Sequence, residues 1–141
     1  MKLRAILTLL ILVPVLWLVA CAPPTGTSVS VSCDDFGKQN NVTKQMTVAA
    51  GSTFTITLCS NATTGYSWPE SAQISDATVV QQLTHERVAP ENTGLVGAPG
   101  TEVWTFKALK TGTSNIDMQY SQPWEGGQKG AWTFQLAVTV K

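Results

Sequence analysis

The sequence predicts an all-β fold, a two-layer sandwich of about seven strands. Apolar and polar residues alternate with period two through most of the chain, threonine and valine are abundant, and no window carries the capped 3.6-residue periodicity of an amphipathic helix. Glycine and proline punctuate the alternating runs at short spacing, as in a sandwich of hairpin-connected strands.

Taken in chain order, Val42–Ala49 is a weak strand, and Phe54, Ile56 and Leu58 alternate with threonines as a half-buried strand requires. Tyr66–Trp68 and Thr78–Thr84 supply two further weak strands. Trp104, Phe106 and Ala108 share one face of the next strand, and Ile116, Met118 and Tyr120 share one face of another, with a turn at Lys110-Thr111-Gly112 between them. The last strand is the clearest: Trp132, Phe134, Leu136, Val138 and Val140 alternate with Thr133, Gln135, Ala137 and Thr139. The tryptophans in alternating runs, Trp68, Trp104 and Trp132, are expected in the core. Three connections are long or glycine-rich for hairpins: Ser60–Gly65, Val88–Gly100 and Gln122–Gly130. Loops clamped by rigid strands are where function concentrates.

Ahead of the domain, Lys2 and Arg4 precede an apolar run from Ala5 to Ala20, the layout of a secretory signal peptide. Leu18-Val19-Ala20-Cys21 resembles the lipobox of bacterial lipoproteins, which implies cleavage before Cys21, lipid on its sulfur and a chain anchored to a membrane rather than spanning it. Residues 1–20 are then the leader, 21–28 a lipidated tether rich in small and proline residues, and 29–141 the domain, exported to the cell envelope. Removing residues 1–20 leaves 121 residues, enough for one domain. Without Lys2 and Arg4, seven basic residues face nine acidic ones, with no basic stripe for nucleic acid. Cys33 and Cys59 lie in an oxidising compartment, so either a Cys33–Cys59 bridge or two buried thiols fits.

The three long connections carry further signals. The first reads Asn61-Ala62-Thr63-Thr64-Gly65-Tyr66, the second Gly97-Ala98-Pro99-Gly100, and the third Gln122-Pro123-Trp124. In this order and between these strands they resemble the Asn-Pro-Thr-Thr-Gly-aromatic, Gly-x-x-Gly and Arg-Pro-Trp loops of the chagasin family of cysteine protease inhibitors. The resemblance spans roughly residues 42–141. It implies an immunoglobulin-like sandwich whose three loops enter the cleft of a papain-like cysteine protease as a wedge, reversibly and without being cut. Thr63, Thr64 and Gly65 would lie at the catalytic centre of the protease, Gly97 and Gly100 would let the second loop lay its main chain along it, and Trp124, stiffened by Pro123, would be an anchor. Trp124 is expected to be exposed, since no apolar alternation surrounds it. Two residues depart from the pattern: Ala62 replaces a proline and Gln122 an arginine.

An enzyme is not expected. The one histidine, His85, is expected at the surface or rim, and a nucleophile needs a base beside it. Asp34-Asp35 is expected to form a solvated turn, and no metal or cofactor is called for. The expected partners are a papain-like protease and, through Cys21, a membrane, with the protein itself a monomer. The other class the sequence permits is a structural or adhesive immunoglobulin-like module of the cell envelope, because sandwiches of this kind host many functions.

Overall fold

The computed structural model describes residues 27–90 and 95–141, so the leader and Cys21 lie outside the described residues. Among the described residues, eight strands form two sheets: β1 (Thr27–Val31), β3 (Thr53–Ser60), β6 (Gly100–Ala108) and β5 (Val80–Val88) in the order β1-β3-β6-β5, and β2 (Asn41–Val48), β8 (Trp132–Val140), β7 (Gly112–Tyr120) and β4 (Gln73–Ile74) in the order β2-β8-β7-β4. β1 joins β3 in parallel and β2 joins β8 in parallel, while the remaining pairs are antiparallel. The architecture is the all-β sandwich expected, with one strand more than the seven counted.

Alternation builds the core. Phe54, Ile56 and Leu58 from β3, Trp104, Phe106 and Ala108 from β6, Ile116, Met118 and Tyr120 from β7, and Phe134, Leu136, Val138 and Val140 from β8 are all buried. Each large apolar side chain removed from water contributes about 1.5–3 kcal/mol. Trp68 and Trp104 are fully buried, whereas Trp132 is partly exposed and stacked between Phe36 and Tyr120, each 4.8 Å away.

Three local expectations are corrected. Cys33–Lys38 forms a short helix, α1, where none was expected. Its signal is a capping box: the Ser32 hydroxyl accepts from the Asp35 amide, and the Asp35 carboxylate accepts from the Ser32 amide. The Ser32 hydroxyl and amide hold the Asp35 carboxyl below its usual range. Asp34-Asp35 is therefore the first turn of a helix and not a free turn. Tyr66–Trp68 makes only a single bridge, Ser67 with Ser121, because Trp68 turns inward to donate its indole N–H to the Cys59 carbonyl at 2.9 Å. The strand that joins β7 is instead Gln73–Ile74. Among the described residues the first strand opens at Thr27, with Thr27 and Ser28 opposite Phe54 and Thr55.

Cys33 and Cys59 form a disulfide with Cα atoms 5.1 Å apart, tying α1 to the end of β3. A chain of residues 22–141, denatured without reductant, is expected to show no titratable thiol and, after reduction, two. Two thiols before reduction would contradict the bridge.

Candidate functional site

Strand pairing brings the three long connections to one pole. Ser60 at the end of β3 pairs with Gly100 at the start of β6, and Tyr120 at the end of β7 pairs with Trp132 at the start of β8. The Ser67–Ser121 bridge then joins the exit of the first loop to the entry of the third.

Asn61 organises the first loop. Its amide donates to the Tyr120 hydroxyl at 2.9 Å, and that hydroxyl donates to the Asn61 carbonyl at 3.2 Å. Its side-chain oxygen accepts from the amide and hydroxyl of Thr63, while the Thr64 hydroxyl donates to the Asn61 carbonyl at 2.7 Å. The result is a one-turn 3-10 helix, Ala62–Thr64, closed by Gly65 at φ 78°. Only glycine adopts that conformation without strain. Ala62, Thr63 and Thr64 are exposed at the tip. Both threonine hydroxyls are thus spent on holding the loop's own shape.

The loops also hold one another. The Asn61 side-chain amide donates to the Gly97 carbonyl at 2.9 Å, which ties the first loop to the second. A Cβ on Gly65 would lie 2.9 Å from Cη2 of Trp124, so the indole of the third loop packs over the first. Tyr66 stacks on Tyr120 with ring centres 5.6 Å apart, and its hydroxyl donates to Gln128 of the third loop.

The third loop is closed internally. The Gln122 side-chain oxygen accepts from the Gln128 amide, the Gln122 amide donates to the Gln128 carbonyl, and Lys129 donates to the carbonyls of Gln122 and Trp124. Where an arginine would offer a cation, Gln122 therefore serves as a brace. Pro123 is exposed, and Trp124 is 51% exposed.

The second loop is framed by two glycines with different local roles. Residues 91–94 lie outside the described residues. Gly97 has φ 81°, Ala98 is half-buried and Pro99 exposed. Gly100 belongs to β6, and a Cβ there would meet the Val88 carbonyl at 2.3 Å. Its lack of a side chain lets β5 and β6 approach. Leu95 and Val96, 73% and 104% exposed, add apolar surface to the second loop, where Leu95 lines a hollow with Asn61, Ala62 and Thr63. Their signal was available as two consecutive aliphatics in a Pro/Gly-rich connection. Exposed apolar residues gathered at one pole mark an interaction edge.

Beneath the first two loops Glu102 is 1% exposed and accepts from the Ser60 hydroxyl and from His85, both at 2.7 Å, with Arg87 at 3.6 Å. His85 is not a surface residue: its side chain is 11% exposed and stacks on Trp104 at 4.7 Å. The carboxylate sits between hydroxyl and imidazole, so Ser60 donates to Glu102 and not to His85. That order fixes strand ends but does not activate a nucleophile.

The profile described as Chagasin family peptidase inhibitor I42 matches residues 47–138. Amoebiasin-2 of Entamoeba histolytica is 32% identical over 88 residues, covering 61% of this chain and 68% of that protein. Chagasin of Trypanosoma cruzi is 33% identical over 82 residues, covering 57% and 74%. Among solved structures, a cysteine protease inhibitor from Entamoeba histolytica superposes with a TM-score of 0.63 at 23% identity, covering 84% of this chain and 99% of that one. PbICP-C, in its complex with falcipain-2, superposes with a TM-score of 0.61 at 20% identity, covering 82% and 100%. These two likenesses concern the fold.

Proposed function

Because the chain belongs to the chagasin family of peptidase inhibitors, we propose that its three loops form one preassembled edge that occludes the active-site cleft of papain-like cysteine proteases, reversibly and without covalent chemistry. The observation that carries this reading is the mutual bracing of the loops: Asn61 to Gly97, Gly65 under Trp124, and Tyr66 to Gln128. A surface already ordered in the free protein loses little conformational entropy on binding. The same bracing opposes cleavage, since a backbone held by the Asn61 network cannot readily deform into the geometry that attack on its carbonyl demands. Thr63, Thr64 and Gly65 form the tip that meets the catalytic centre, flanked by Gly97, Ala98 and Pro99 on one side and Gln122, Pro123 and Trp124 on the other. The falcipain-2 complex of one structural neighbour supports a protease of this class as partner. The lipobox-like segment ending at Cys21 supports export and anchoring of the domain to the cell envelope, where we take it to act as a monomer.

Titration of papain with residues 22–141 tests the proposal. Concentration-dependent inhibition that reverses on dilution is expected, and a folded chain that leaves several such proteases untouched at micromolar concentration would refute it.

The structure also prepares for the family's proline. Asn61 is extended (φ −124°, ψ 98°), as the residue before proline must be, and Ala62 opens the 3-10 turn. Ala62→Pro is expected to tighten inhibition by about 0.4–1 kcal/mol through a stiffer free loop. Inhibition constants for the two chains check it, and weaker inhibition by the variant would contradict it.

A further inference from the structure

The register of the first strand says where the chain enters the sandwich. Thr27 pairs with Phe54 near the start of β3, and Val31 with Leu58 near its end. β3 runs from that entry point to Ser60, where the first loop begins. The N-terminal entry is therefore at the pole opposite the three loops. That far pole also holds the β2–β3 turn, in which the Ala50 amide donates to the Lys141 carbonyl and the Gly51 amide to the Ala108 carbonyl. Lys107, Lys110 and Lys141 are exposed there, against one carboxylate, Asp76. Elements at the loop pole carry the exposed carboxylates of Asp34, Asp35, Glu70, Glu86 and Glu125 against Lys38, Arg87 and Lys129, an excess of two negative charges.

We propose that the anchored chain stands on its lysine-bearing pole, with Lys107, Lys110 and Lys141 toward the headgroups of an anionic bilayer and the three loops toward the aqueous compartment, where they capture proteases from solution. This rests on the reading of Cys21 as the lipid-bearing residue and on the inhibitory role of the loops. Lengths decide against the inverted arrangement. Cys21 is six residues from Thr27, a reach of at most about 22 Å. From Phe54, opposite Thr27, to Ser60 the strand already spans about 20 Å, nearly all of that reach, and the loops project beyond Ser60, so the tether falls short of the loop tips. Charge acts in the same sense: an anionic surface attracts the lysine pole and repels the carboxylates around the loops, over roughly 8 Å at physiological salt.

The test couples the mature chain, residues 21–141, through the Cys21 thiol to a maleimide lipid in phosphatidylcholine vesicles, with or without phosphatidylglycerol. Papain inhibition by the coupled chain is expected within about threefold of that by the free chain, because a tethered site that faces water keeps its association rate. Coupling instead through Glu86→Cys, exposed at the loop end of β5 and outside the three loops, in a Cys21→Ser chain is expected to abolish inhibition, whereas the same variant capped with a soluble maleimide inhibits as the free chain does. Amine labelling of Lys107, Lys110 and Lys141 is expected to fall on phosphatidylglycerol vesicles while that of Lys129 in the third loop does not. Loss of inhibition on Cys21 coupling, equal inhibition by both couplings, or protection of Lys129 in place of the other three would overturn the orientation. A free chain that does not inhibit would refute the inhibitory reading, and an exported chain whose mass shows unmodified Cys21 would refute the anchor. Each failure is thus separately visible.

Discussion

Alanine at Trp104 is expected to lower folding stability by about 3–5 kcal/mol, the range for removing a fully buried aromatic side chain. Trp104 is 0% exposed at the centre of β6, donates its indole N–H to the Pro69 carbonyl at 3.3 Å, and carries the His85 ring on one face. Truncation therefore leaves a cavity and also removes the surface that keeps His85 in reach of Glu102. Denaturant unfolding of residues 22–141 with and without Trp104→Ala measures the loss, and a change below about 1 kcal/mol would contradict the core assignment.

Trp124→Ala is expected to do the reverse. It should weaken protease inhibition by roughly 2 kcal/mol or more, about thirtyfold, while shifting stability by less than about 0.5 kcal/mol. Half of the Trp124 surface is exposed in the free chain, and its ring edge rests on Gly65 at the tip of the first loop. The indole can therefore bury large area against a partner at little entropic cost, having few rotatable bonds and one face already supported. Inhibition constants and melting curves for the same variant decide the matter. A variant that melts early yet inhibits normally would place Trp124 in the core and move the binding edge elsewhere.

The contrast between these two tryptophans was legible in the sequence, because one alternates with polar residues in a strand and the other sits in a Pro/Gly connection. Strands with strict alternation, β3, β6, β7 and β8, were legible for the same reason: one face of each meets the core and the other does not. What was not legible depends on partners remote in the chain. α1 is too short for a helical period to register, and it is held by Ser32 capping and the Cys33–Cys59 bridge. β4 contributes two residues and exists only because β7 offers an edge. His85 was misplaced because β5 has an irregularity between Gln82 and Thr84, after which the phase of the alternation shifts and His85 falls opposite Trp104. At the candidate site, the motifs located the loops, but their bracing was invisible. Nothing local indicates that Asn61 reaches Gly97, or that Gln122 closes its own loop by accepting from Gln128.

In the proposed complex the three-loop edge covers the catalytic cysteine of a papain-like protease while the chain stays intact. The most direct test is to mix papain with a stoichiometric excess of residues 22–141, add a small alkylating reagent, and follow the mass of both proteins. Protection of the catalytic cysteine from alkylation, lifted when the complex is denatured, together with an uncut inhibitor mass is the predicted result. Alkylation at the rate of free papain, or cleavage within residues 61–66 as protection is lost, would contradict it.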